Sequence, residues 1–376
     1  MDHTLLIVTI TLALVGLVMV FSASAVVAGN RFHDSGYFLK RQLAWLTFGF
    51  LLLHLASHID YIWWKRLSIP LLGLLTVLLV MVLIPSFGVA VKGARRWLRL
   101  GPISVQPAEM MKLVAVIYLA AYLAKKEDRL TTFSSGLLPA LIVVGVLGGL
   151  VLLEPDLGTA VVMGLVTVGL LFLGGARLSH LLMMGLCAVP AALALALGSS
   201  YRRQRLMTFL SPWKDVSDTG FQITQSFLAF GSGGPFGVGL GEGKQKLFFL
   251  PEAHTDFVLA LVGEELGLVG TGAIILLFAL FVVRGFQIAA RARMPFGRYL
   301  GMGITLLIGI QALVNACVVT GVLPTKGLTL PFVSYGGSSL VVSLVGVGIL
   351  LNISRDRRAG REEAGHRDGR GGSGRR

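Results

Sequence analysis

The chain reads as an all-α, polytopic membrane protein of about ten transmembrane helices, with a large extracytoplasmic loop between helices 7 and 8. Three observations predict this class. Only 14% of the 376 residues are charged and 55% are hydrophobic, with a mean hydropathy of +0.79, whereas soluble domains carry about 25% charged residues. Apolar runs long enough to cross a hydrocarbon core of roughly 30 Å recur along the chain. The polar material between them concentrates in two outer segments, 86–106 and 199–256.

The runs fall at 5–28, 42–57, 67–85, 107–124, 136–153, 157–174, 178–198, 257–283, 299–323 and 338–353. No basic residue precedes the first, and it is too long for a signal-peptide core, so it reads as an uncleaved anchor. Ten spans put both termini on one side. The tail carries Arg355, Arg357, Arg358, Arg361, Arg367, Arg370, Arg375 and Arg376, which assigns that side to the cytoplasm. Lys65, Arg66, Lys125, Lys126, Arg129, Arg177, Arg284, Arg291, Arg293 and Arg298 then also lie inside. The first loop runs the other way, because Arg31, Lys40 and Arg41 end up outside. Residues 1–354 form the membrane domain, and 355–376, rich in Gly, Arg, Glu and Ser, are expected to be a disordered basic cytoplasmic tail. The net charge of +14 sits in short loops and this tail, which suits lipid phosphates and topology and argues against nucleic acid. Cys187 and Cys317 lie in apolar spans with no metal or disulfide spacing.

Chemistry is sought in the long outer loops, since loops beyond about 12–15 residues are usually functional. Asp256 closes the run Phe248-Phe249-Leu250-Pro251-Glu252-Ala253-His254-Thr255-Asp256, where an apolar helix begins. A carboxylate at the mouth of a span is costly to desolvate. It is either a general base, poised by partial burial against nearby cations, or the N-cap of the helix starting near Phe257. Glu264 lies eight residues on, about 80° round a helix, as a second polar wall.

Arg95, Arg96 and Arg99 flank Trp97 on an outer loop, against the topology bias. They suit diphosphate oxygens, or else snorkel at the interface. Glu109 and Lys112 stand one turn apart behind Pro107, as an ion pair or as substrate contacts. Glu154-Pro155-Asp156 makes a tight outer turn whose carboxylates cap the next helix or hold a cation or an arginine near the site. Arg202 and Arg203 open the long loop. Its glycines (Gly231, Gly233, Gly234, Gly237, Gly239, Gly241, Gly243) lack the Gly-Lys-Ser/Thr ending of a phosphate loop and give backbone freedom instead. Near the last span, Lys326 supplies a point charge, while Ser334 and Ser338 lie among glycines whose amides suit an anion, or else form an ordinary capped helix entry.

Gln106-Pro107-Ala108-Glu109, Glu154-Pro155-Asp156-Leu157-Gly158-Thr159, Leu250-Pro251-Glu252-Ala253-His254-Thr255-Asp256-Phe257 and Ser334-Tyr335-Gly336-Gly337-Ser338-Ser339 together resemble the SEDS family (shape, elongation, division and sporulation). The resemblance runs from the first span to about residue 355. Gly321-Val322-Leu323-Pro324-Thr325-Lys326-Gly327 is similar to the division branch rather than the rod-shape branch.

The resemblance implies a ten-span peptidoglycan glycosyltransferase that polymerises lipid II at the outer face of the inner membrane, at the division septum. Asp256 falls on the family's catalytic aspartate. The expected substrate contacts are Arg95, Arg96, Arg99, Glu109, Lys112, Glu154, Asp156, Arg202, Arg203, His254, Lys326, Ser334 and Ser338. Implied partners are lipid II, the nascent glycan strand, a class B penicillin-binding transpeptidase and other division proteins. No cofactor is certain, although a divalent cation (Mg or Mn) is an alternative to cationic side chains for steadying the departing diphosphate. The competing classes are a lipid II flippase, the rod-shape polymerase of the same family and a division scaffold. A flippase places its polar site near the midplane, whereas here the ionisable residues gather at the outer ends.

Overall fold

The computed structural model describes residues 1–91, 94–101, 103–198, 220–247, 253–325 and 327–370, together with Arg203, Met207, Phe209, Trp213 and Leu250. In chain order the helices are α1 (His3–Phe32), α2 (Tyr37–His58), α3 (Tyr61–Leu83), α4 (Pro107–Lys125), α5 (Leu138–Leu153), α6 (Leu157–Leu173), α7 (Leu178–Leu197), α8 (Phe221–Gly233), α9 (Val258–Glu265), α10 (Gly267–Ala290), α11 (Pro295–Val319) and α12 (Gly337–Arg370). In hydrocarbon a backbone must satisfy its own polar groups, so apolar segments of this length become helices. Among the described residues, ten of them have at least 16 residues and match the ten expected runs. Seven are by themselves long and apolar enough to cross a membrane.

Helices α4, α11 and α12 form the buried centre, while α3, α5 and α10 present more of their surface outward. Ile69, Leu186 and Leu276 leave 72%, 75% and 70% of their surface uncovered, as expected of side chains that face lipid rather than water. The chain ends meet at one end of the bundle. The Asp2 amide donates to Ser354 Oγ (3.0 Å), and the Asp2 carboxylate pairs with Arg284 (2.8 Å) while capping α1 through the Leu5 amide. An even number of spans puts both chain ends on one side.

Three features differ from the sequence expectation. The segment 86–106 is not merely a loop. It folds into a three-stranded antiparallel sheet, β1 (Gly88–Val91), β2 (Ala94–Leu100) and β3 (Ile103–Val105), paired in the order β1-β2-β3 with a register shift between Val89 and Ala90. The period of two turns Arg95 and Arg99 to one face, where both are exposed, and Arg96 and Leu98 to the other. The last helix runs on to Arg370, contrary to the disordered tail that the composition predicts from residue 355. An already nucleated helix extends without a new nucleation cost, and Arg, Glu and Ala are good helix formers.

The third departure matters most for the site. The expected span 257–283 is broken: α9 ends at Glu265, and α10 restarts at Gly267 and continues to Ala290. The glycine-rich segment after α8 folds into the break and pairs with its backbone. The amides of Val238 and Gly239 donate to the carbonyls of Glu264 and Glu265 (3.0 and 3.1 Å), and Leu268 and Val269 donate to Gly234 and Pro235 (2.9 and 3.1 Å). Irregular backbone at this depth is tolerated where protein satisfies it. The approach needs glycine on both sides: a Cβ on Gly237 (φ +82°) would lie 2.2 Å from Glu265 O, and one on Gly267 (φ +67°) 2.3 Å from the Gly237 nitrogen. Two buried carboxylates hold the segment in place. Glu264 accepts the amides of Lys244 (2.7 Å) and Gln245 (3.2 Å), so it is a clasp for this loop rather than a wall of an open site. Glu265 pairs with Lys246 (2.9 Å) and accepts from Ser22 Oγ (2.6 Å) on α1.

Candidate active site

Asp256 sits half-buried in the turn that enters α9, at the end of the bundle where α1 finishes and α2 and α12 begin. Phe257, not Asp256, is the N-cap of α9, and no side chain caps that helix, so the capping alternative falls away. Two neighbouring loops fix the turn. Buried Asn315 on α11 donates through one amide group to Asp256 O (2.9 Å) and Leu328 O (2.6 Å). The Tyr335 amide donates to His254 O (2.9 Å). The Asp256 carboxylate lies against the 327–335 loop, since a Cβ on Gly327 would stand 3.2 Å from Asp256 Oδ2.

A second polar group lies beneath. Glu109 and Lys112, one turn apart on α4, form a buried ion pair of 2.9 Å. Lys112 also donates to Gln311 Oε1 (2.7 Å), and Gln311 Nε2 donates to Thr329 O (3.0 Å). The pair therefore braces the loop that faces Asp256. Gln311 and Asn315 were absent from the sequence candidates. Their signal was present, as two amides four residues apart on one face of an apolar span.

On the flank, Asp156 caps α6 through the Thr159 amide (3.1 Å) and accepts from Gln106 Nε2 (3.2 Å). Arg96 donates through Nε to Glu154 O (3.0 Å) and through its terminal nitrogen to Pro155 O. Its guanidinium thus holds the turn, whereas Arg95 and Arg99 stay exposed. The Glu154 carboxyl is fully covered, and burial, followed by the nearby Asp156 charge, pushes its pKa up to about 8 against the partial relief from Arg96. A folded-state pKa above the usual 4.5 means that the proton stabilises the fold. That contribution is complete below about pH 4.5 and is lost as pH rises through about 8. Glu154→Gln removes it, so the melting temperature of the variant should fall less steeply across this window than that of the wild type, as thermal scans at several pH values will show.

Ser334 and Ser338 are buried and accept from main-chain amides: Ser334 Oγ from Leu330 in its own loop (2.9 Å), and Ser338 Oγ from Gln106 at the start of α4 (3.1 Å). His254 packs at 4.7 Å from the Phe38 ring. Arg203 is exposed, and Arg202 and Lys326 lie outside the described residues. The structure therefore brings Asp256, His254, Ser334 and the Glu109–Lys112 brace together through Asn315 and Gln311, and sets Arg95 and Arg99 on the sheet. Among the described residues, no three His, Cys, Asp or Glu side chains gather in a group that could hold a metal ion.

Residues 2–359 match the family model FTSW_RODA_SPOVE, described as "Cell cycle protein". The chain belongs to that family. It is 50% identical over 353 residues to the "Probable peptidoglycan glycosyltransferase FtsW" of Geobacter sulfurreducens, covering 94% of this chain and 95% of that relative. It is 43% identical over 354 residues to the "Stage V sporulation protein E" of Bacillus subtilis, covering 94% and 96%. Among solved structures it is similar to a chain of "Structural coordination of polymerization and crosslinking by a peptidoglycan synthase complex", with a TM-score of 0.77 at 31% identity over 95% of this chain and 98% of that one. The rod shape determining protein RodA of Thermus thermophilus gives a TM-score of 0.68 at 30% identity, over 95% and 97%. The chain is a multi-pass membrane protein of this family.

Proposed function

We propose that the chain is a peptidoglycan glycosyltransferase that polymerises lipid II into β-1,4 glycan strands at the outer face of the cytoplasmic membrane, for septal wall synthesis in cell division. The observation that carries this reading is Asp256. It is a half-buried carboxylate at the end of a lipid-facing bundle, held by Asn315 against a second loop that is itself braced from α4 and α11.

In the reaction, the 4-hydroxyl of the acceptor N-acetylglucosamine attacks the anomeric carbon of a glycan strand held on undecaprenyl diphosphate. Asp256 takes the hydroxyl proton, the C1–O bond to the diphosphate breaks, and the electron pair leaves with it. Attack on an α-linked donor with inversion gives the β linkage. The exposed cations Arg95, Arg99 and Arg203, with Arg202 and Lys326, are candidates to steady the departing charge. Both termini are cytoplasmic, which puts Asp256 on the outer side, and a class B penicillin-binding transpeptidase is the partner that crosslinks the strands.

The test is purified protein with that transpeptidase in liposomes, given fluorescent lipid II, with products resolved by gel electrophoresis. Ladders of glycan are expected. Movement of lipid II across the bilayer without any polymer would replace this reading with the flippase.

A further inference from the structure

The outward cations of the first loop, like the arginines of the sheet, run against the charge pattern that topology sets. The structure carries one of them to the active-site rim. Phe32 at the end of α1 stacks on Tyr37 at the start of α2 (centroids 4.0 Å apart, planes 13° apart), and the Arg41 guanidinium lies over the Tyr37 ring at 5.3 Å. Next to Tyr37, Phe38 packs edge-on to Tyr335 (5.2 Å) and against His254 (4.7 Å), the residue two before Asp256. The Arg41 charge also partly offsets the upward push that burial gives the Tyr335 phenol.

The neighbouring cations are used differently. Lys40 pairs with Asp34 (2.8 Å), and Arg96 is spent on main-chain carbonyls. Arg41 is exposed, and among the described residues it faces no carboxylate. An exposed arginine seated over the Tyr37 ring offers its fork of donors to a bidentate anion. The anion that reaches an outer membrane edge beside Asp256 is a phosphate borne by a lipid.

We infer that Arg41, seated on Tyr37 beside Tyr335, forms a subsite for the diphosphate of a polyprenyl-linked saccharide and draws it alongside the Asp256 turn. This rests on the glycosyltransferase reading and adds a specific contact to it. The α2 face of the site is then a second cationic edge, separate from the arginines of the β-sheet, and suits a reaction in which two lipid-linked substrates must be held at once.

The test uses full-length protein in neutral nanodiscs with a fluorescent polyprenyl diphosphate as the probe. Charge-assisted hydrogen bonds of this kind predict roughly ten- to a hundredfold weaker binding for Arg41→Gln, with partial recovery in Arg41→Lys. In turnover assays the loss should fall mainly on KM. Retained binding of the transpeptidase partner and an unchanged melting temperature verify folding. Undiminished affinity of Arg41→Gln for the probe overturns the proposal. So does a loss seen only for phosphatidylglycerol, which would make Arg41 a bulk-lipid anchor. Asp256→Asn, run in parallel, should bind the probe normally without turning over, so failure of the catalytic reading and failure of the subsite give different patterns.

Discussion

Asp256→Ala should lower glycan polymerisation by about a hundred- to ten-thousandfold, the range that a positioned general base contributes. The protein should fold, bind its transpeptidase and retain its lipid-linked substrate. The expectation of intact folding follows from the contacts. The neighbourhood of Asp256 is fixed through its main-chain carbonyl, which accepts from Asn315, and through His254 O, which accepts from Tyr335. None of these bonds uses the carboxylate. Nor does the carboxylate cap α9, since Phe257 holds that position. Asp256→Asn keeps the shape and removes the basicity, so it should be nearly as inactive. If either variant builds strands at the wild-type rate in the liposome assay, the base lies elsewhere. Asn315→Ala provides a graded comparison. It releases the Asp256 carbonyl and the Leu328 carbonyl together, so both activity and melting temperature should fall, the latter further than in Asp256→Ala.

The division between what the chain's letters reveal and what they hide follows the range of the interactions. Span positions follow from local apolar runs, so α1 to α7, α11 and the membrane part of α12 lie where composition puts them. Asp256 stood out because an acid at a span's mouth is anomalous on local grounds. The strand pairing of 88–105 is readable in principle, since Arg95, Trp97 and Arg99 alternate with Arg96 and Leu98, but cations on both faces mask the period of two. The break at Gly267 was not readable. The run from Phe257 to Val283 is continuous in its hydropathy apart from Glu264 and Glu265, and the break exists because glycines some 30 residues earlier supply hydrogen bonds there. The same holds for Arg96 and Glu154: their spacing shows neither that one guanidinium serves two carbonyls nor that the carboxyl is fully covered.

The buried pair at that break should have the largest effect on stability. Lys246 and Glu265 leave only 8% and 0% of their side chains uncovered, stand 2.9 Å apart, and share Ser22 on α1, to which Lys246 donates at 3.2 Å. Removing one partner from such a pair leaves an uncompensated charge without water, a loss of about 3–5 kcal/mol. Lys246→Met and Glu265→Gln should therefore each lower the melting temperature of the detergent-purified protein sharply. The double variant should recover most of the loss, because neither charge then remains and the surrounding helices are apolar. Singles that melt with the wild type would show that the pair is solvated in practice; a double variant as unstable as the sum of the singles would show that the two residues act independently. The consequence reaches the chemistry, because α9 is only eight residues long, with Glu265 at its inner end and the Asp256 turn at its outer end. A short helix anchored at one end by a charge pair and at the other by Asn315 moves as a rigid unit, so loosening the inner anchor should lower polymerisation in the single variants and restore it in the double, in step with melting.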